Sequence, residues 1–218
     1  MAMRLAMAWL VAGMVFSGGN VMARDEVRAG AVETDQVTVW NRFADRLMAL
    51  HRRQLAGRKI RETEEFGGYA NMPRFYREVS YFDSDTGRLL SRIQWETDNP
   101  ERVHSVEVSV YDAKGRLARD YMAWYLPKFR NAPRATTINL YYYGRGVRGW
   151  RQFDASDNRI YERCNGWDGD KVGDTLLELD EDALANALSD RKGVMTGELY
   201  ARCFGDLRPS AGPYLNPH

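Results

Sequence analysis

Between Phe75 and Cys164 the side-chain character of this chain changes with a period of two, and each run stops at a short polar turn. Val106, Val108 and Val110 alternate with Glu107 and Ser109, the pattern of a strand with one face buried. The runs at 75–82, 88–95, 116–125, 136–143, 147–153 and 159–164 are rich in β-branched and aromatic residues, which suit a pleated, half-buried surface. Connections this short join antiparallel neighbours, because a parallel pair needs a crossover of about a dozen residues. The expected core is therefore one antiparallel hairpin meander of about six or seven strands.

The turns repeat one chemistry. Tyr81-Phe82-Asp83 with Gly87-Arg88-Leu89 is echoed by Val110-Tyr111-Asp112 with Gly115-Arg116-Leu117. Gln152-Phe153-Asp154 with Asn158-Arg159-Ile160 is a third copy. An aromatic ends the strand, Asp accepts turn N–H groups, Gly or Asn takes the left-handed position, and Arg starts the return. The pattern resembles the hairpins of YD-type repeat proteins in its turn chemistry. The copies lie 29 and 42 residues apart, so there is no fixed solenoid period, and the likeness implies no family.

Helical spacing appears on either side of the sheet. Trp40, Phe43, Leu47 and Leu50 form one apolar stripe, Thr34 or Asp35 precedes it as a cap, and Gly57 stops it. Residues 58–73 are charged, then glycine-bearing, and read as a loop ending at Pro73. After Leu176–Leu179, Asp180 caps a second helix carrying Leu184, Ala187 and Leu188. Thr196 opens a short third helix with Leu199, Tyr200 and Cys203. The fold class predicted is α+β: an N-terminal amphipathic helix packed on one antiparallel sheet, with two short C-terminal helices. Residues 35–206 form the single domain, and 207–218, with Pro209, Pro213 and Pro217, a flexible tail.

The first 23 residues read as a cleaved signal peptide. Arg4 is followed by the apolar run Leu5–Phe16, and Val21-Met22-Ala23 carries the small residues that signal peptidase accepts. At 12 residues the run is shorter than the roughly 20 needed to span a bilayer. Residues 24–34 follow as a linker. Periplasmic or secreted localisation is the consequence, with no stable membrane span. Cys164 and Cys203 are the only cysteines, and an even count in an exported chain predicts one disulfide between them. Cleavage after Ala23 leaves 30 basic against 30 acidic residues, which argues against nucleic acid as a partner.

Motifs for familiar chemistry are missing. There is no HExxH, no GxSxG and no Walker loop. Gly144-Arg145-Gly146-Val147-Arg148-Gly149 matches the letters of a dinucleotide fingerprint but leads into a strand, where no helix N-terminus waits for pyrophosphate. Asp168, Asp170 and Gly173 fit part of a calcium loop, but Val172 and Leu179 stand where side-chain oxygen ligands are required. No metal and no cofactor is expected. His51, His104 and His218 read as hydrogen-bonded or solvated side chains.

Aromatic density is the unusual feature: 16 of 26 aromatic residues lie between Phe75 and Tyr161. Alternation puts Tyr121 and Tyr125 on one face and Trp124 on the other, and sets Tyr141 and Tyr143 opposite Tyr142. The candidate ligand-binding residues are Tyr121, Trp124, Tyr125, Tyr141, Tyr142, Tyr143, Trp150 and Arg148, with Arg119, Arg145 and Arg151 also flanking the platform. The expected function is a non-catalytic, exported binding or assembly module. It would hold an envelope protein, peptide or sugar on the open sheet face. The alternative is a small ligand-pocket protein or enzyme whose curved sheet resembles the NTF2-like cone, with Glu107 or Asp120 as the acid in its pocket.

Overall fold

A computed structural model describes residues 34–127, 131–189 and 193–218. The proposed signal peptide and its cleavage site lie outside the described residues. Helix α1 spans Thr34–Leu55, and nine strands follow: β1 Ile60–Tyr69, β2 Met72–Asp83, β3 Leu89–Glu96, β4 Asn99–Tyr111, β5 Leu117–Trp124, β6 Ala135–Gly144, β7 Val147–Phe153, β8 Arg159–Trp167 and β9 Val172–Leu179. Helices α2, Glu181–Ser189, and α3, Glu198–Phe204, complete the set, with single 3-10 turns at Val194–Thr196 and Gly212–Leu215. The fold is α+β with one antiparallel sheet in the order β1 to β9, every strand paired with its sequence neighbour.

The strand count corrects the expected six or seven. The two additional strands are the edges, β1 and β9. Most of their residues are exposed, on both faces, so neither shows the half-buried alternation by which a strand is read. Pro73 falls at the start of β2, beside the tight β1–β2 connection where Tyr69 pairs Met72, a position where a missing N–H costs little.

The three α-helices of the described residues cover the same face of the sheet. Phe43, Ala44, Leu47 and Leu50 of α1 pack on Ile93, Val106, Val108, Tyr121, Ala123, Ile138, Leu140 and Phe153. Leu184 of α2 and Tyr200, Cys203 and Phe204 of α3 pack on Val147, Cys164 and Leu179. Val147 and Phe153 share one face of β7 by the period of two, which ties both clusters to one side. Thr34–His218 forms one compact unit. None of its helices is long and apolar enough to cross a membrane.

The segment 207–218, expected as a flexible tail, is instead packed against the rest. Ala211 is fully buried and its N–H donates to Asp157 Oδ1. Arg46, Arg53 and Arg119 donate to the carbonyls of Leu215, Pro217 and His218. Arginines on the helix and sheet thus satisfy carbonyls that a proline-rich segment cannot pair within itself.

His51 sits on α1 at the sheet interface. Its Nδ1 lies 2.7 Å from Ser91 Oγ, and its ring meets Tyr81 edge-on. Burial, with the Arg52 charge next, holds its pKa below the ordinary value. The unfolded chain therefore takes up this proton first, and stability falls as pH drops through the unfolded histidine range near 6.5. The expected result is a urea midpoint that falls between pH 7.5 and 5.5, with a smaller fall in His51→Gln. Equal pH slopes in the two proteins would refute the assignment.

Candidate functional site

The sheet face away from the helices carries a row of hydrogen-bonded polar side chains across its centre. Strand pairing aligns Ser109 with Asp120, Asp120 with Asn139, Asn139 with Gln152, and Gln152 with Tyr161. Asn139 Nδ2 donates to Asp120 Oδ1 at 2.5 Å, and the Tyr141 hydroxyl donates to Asp120 Oδ2 at 2.8 Å. Trp150 Nε1 and Gln152 Nε2 both donate to Asn139 Oδ1 at 2.8 Å. Each donor in this chain has one acceptor, so the amide of Asn139 is locked in orientation and Asp120 is held by two groups at once.

Burial sets the electrostatics. Asp120 is 9% exposed, and desolvation pushes its carboxyl up, against the pull of the Asn139 and Tyr141 hydrogen bonds and of Arg148. Burial also raises Glu107, opposed by its ion pair with Arg92 at 3.3 Å and reinforced by the charge of Asp120. Tyr141 is pushed far up by burial and by the adjacent carboxylate, so it stays a donor.

Aromatic rings flank the row. Tyr141 and Trp150 are cross-strand partners with near-parallel rings 6.3 Å apart, and Trp150 lies 5.0 Å from Tyr161. The Arg148 guanidinium stands 5.0 Å over Tyr141 and 5.6 Å from Tyr143. Tyr143 meets Trp167 edge-on at 5.3 Å.

The structure divides the eight sequence-derived candidates. Tyr141, Tyr143, Trp150 and Arg148 stand together on the uncovered face. Trp124 shares that face near the far end of β5, where its Nε1 donates to His104 Nε2 at 3.0 Å. Three fall on the helix side. Tyr121 is fully buried against Phe43, Tyr125 packs on the α1 core, and Tyr142 packs with the α3 cluster. Of the flanking arginines, Arg119 bonds the Tyr121 hydroxyl on the helix side, Arg145 sits in the β6–β7 turn, and Arg151 is buried under α3.

Asn139, Gln152 and Tyr161 were not singled out by sequence. The signal that finds them is register: if consecutive strands pair, alternation alone places them in one row with Asp120. Among the described residues no cluster of three or more His, Cys, Asp or Glu is arranged for a metal. Asp168 instead accepts the backbone N–H groups of Asp170 and Lys171 in its turn. Comparison with family models, curated proteins and solved structures finds no match to the chain.

Proposed function

We propose that this chain is an exported, non-catalytic binding module that holds a polar ligand on the sheet face opposite its helices. The observation that carries this is the locked chain from Gln152 and Trp150 through Asn139 to Asp120, set between aromatic rings. Fixed planar polar groups beside ring faces suit a sugar ring, whose hydroxyls need oriented partners and whose C–H faces pack on aromatics. Export is supported by the Arg4 to Ala23 pattern and by the Cys164–Cys203 bridge.

A catalytic role for Asp120 or Glu107 has less support. Both Asp120 oxygens are occupied by Asn139 and Tyr141, so a substrate proton would have to displace one of them. Neither acid lines the cavities beside Asn41 and Tyr125, between Thr86 and Tyr111, or beside Met72 and Phe75. On the helix side α1 packs on the sheet, and the cavity of about 430 Å³ beside Asn41, Met48, Val106 and Tyr125 is lined by neither Glu107 nor Asp120.

The test is tryptophan fluorescence titration with a panel of neutral oligosaccharides and, separately, of short peptides. A saturable response from a sugar is expected. Trp150→Ala should weaken it at least tenfold while the far-ultraviolet circular dichroism is kept. A response from peptides alone would overturn the sugar assignment, and no response from either panel would overturn the binding function.

A further inference from the structure

The three Asp-turn-Arg hairpins treat their arginines differently. In the β4–β5 turn, Asp112 accepts the backbone N–H groups of Lys114 and Arg116, and its Oδ2 takes Arg116 Nε at 2.9 Å and Nη2 at 2.7 Å. In the β7–β8 turn, Asp154 accepts the N–H groups of Ser156 and Asn158, while Arg159 turns away to Glu162 and the Pro209 carbonyl. In the β2–β3 turn, Asp83 Oδ1 accepts the N–H groups of Asp85 and Thr86. Its Oδ2 is taken at 2.7 Å by Arg58, from the α1–β1 connection. Arg88, the arginine belonging to this hairpin, is displaced from its acid.

Its guanidinium lies across the neighbouring turn. It stands 5.5 Å from the Tyr111 ring and rests on Gly115, where a Cβ would come within 1.8 Å of Nη2. Gly115 therefore has two reasons to be glycine, its left-handed φ of 80° and this guanidinium. Among the described residues the Arg88 side chain has no carboxylate partner and no hydrogen-bond acceptor. One cation is thus held by stacking alone, with its donors unused.

Arg88 faces a cavity of about 190 Å³ between the two hairpins and the end of α1, also lined by Arg58, Thr86, Gln54 and Tyr111. That volume equals roughly six waters of liquid, enough for a five-atom oxyanion. Asp83 and Asp112 also line it, but each is already neutralised, by Arg58 and Arg116. The lining carries Arg58 and Arg88 against Asp83 and Asp112, and next to these residues in the sequence Lys59, Lys114 and Arg116 stand against Asp85. Arg52 and Arg53 offset the negative end of the α1 dipole. We propose that this cavity is an anion site for a phosphate or sulfate group, with Arg88 as its primary ligand and Arg58 and Thr86 as supporting donors. Two guanidinium groups facing one small volume suit a tetrahedral anion with several acceptor oxygens.

The experiment is isothermal titration of the full purified chain with sodium phosphate at low ionic strength, with sodium chloride of equal ionic strength as control. One saturable site is expected. Arg88→Gln should weaken it at least tenfold, and Arg77→Gln, at the distant β1–β2 pair with Glu64, should not change it. Where Arg88→Gln fails to fold, the wild-type amide resonances of Thr86 and Gly115 decide. They should shift on phosphate addition, while those of the β8–β9 turn stay fixed. Glycerol 3-phosphate and sulfate identify the source. Tighter binding of the ester assigns an organic phosphate, and equal binding assigns the free ion. No saturable heat with wild type, undiminished binding in Arg88→Gln, or shifts spread evenly over the chain would overturn the proposal.

Discussion

Arg151→Met is expected to destabilise the protein by about 3–5 kcal/mol, because it leaves the buried Glu162 carboxylate with only the more distant Arg159 guanidinium, at 3.6 Å, to offset its charge. Arg151 and Glu162 are 3% and 0% exposed and are directly paired through Arg151 Nε and Glu162 Oε1. The same Arg151 guanidinium donates to the carbonyls of Leu207 and Arg208 at 3.0 and 2.7 Å, and to the Tyr200 hydroxyl at 3.0 Å. Tyr200 in turn donates to Glu162 Oε1 at 3.2 Å. One cation therefore joins β7, β8, α3 and the C-terminal segment. Loss of Arg151 leaves a carboxylate that is 0% exposed and only partly satisfied by Arg159 and Tyr200, whereas replacing both partners puts apolar side chains in place of the pair. The double variant Arg151→Met/Glu162→Leu should accordingly be more stable than Arg151→Met alone, despite carrying more changes. Urea unfolding of the four proteins of the cycle measures this, with a coupling of several kcal/mol expected. A cost under about 1 kcal/mol for Arg151→Met would show that water solvates the pair. The C-terminal segment should also become protease-sensitive in Arg151→Met, since two of its carbonyls lose their donor.

That arginine shows what the sequence displays and what it hides. The period of two in β7 places Arg151 on the same face as Val147, Gly149 and Phe153, yet by sequence an arginine on a sheet reads as solvent-facing and falls with the platform. Its acid, Glu162, is 11 positions away on the next strand, and only the register brings the two together. The central strands were legible because each buries one face and exposes the other. β1, with Glu62, Glu64 and Glu65, buries neither, so it is held by the backbone ladder to β2 and by exposed cross-strand pairs such as Arg77 with Glu64 and Arg61 over Phe82, which composition does not reveal. The docked C-terminus was hidden for a similar reason. Its own backbone hydrogen bonds form a short 3-10 turn, with the Tyr214 and Asn216 N–H groups donating to the carbonyls of Ala211 and Pro213, but the donors that hold it to the rest, Arg46, Arg53, Arg119 and Arg151, come from distant elements. For the candidate site, alternation alone sorted Tyr121, Tyr125 and Tyr142 from Trp124, Tyr141 and Tyr143. It could not say which set the helices cover. Phe43 of α1 decides that by packing against Tyr121.

Cys164→Ser and Cys203→Ser are each expected to cost up to about 4 kcal/mol and to lower the melting temperature by similar amounts, on the order of 10 °C. The bridge joins β8 to α3 with Cα atoms 5.7 Å apart and a sequence separation of 39. Its contribution comes largely from the unfolded state, whose freedom shrinks when a loop of this length is closed. Both sulfurs lie in the cluster formed by Val147, Leu184 and Phe204, so in the folded protein the bond is shielded from reductant. Close approach of the helix is made possible by Gly149, the register partner of Cys164, where a Cβ would stand 2.1 Å from the Cys203 carbonyl oxygen. Backbone cannot yield as a side chain can, so Gly149→Val should displace α3 and approach the instability of the cysteine variants with both cysteines present. Thiol labelling of the unfolded, non-reduced wild type should find no free cysteine. Gly149→Val, purified under reducing conditions, should re-form the bridge more slowly than wild type. Two reactive thiols in wild type made in an oxidising compartment would reject the bond. Unequal melting temperatures of the two serine variants would show that one cysteine contributes mainly through packing.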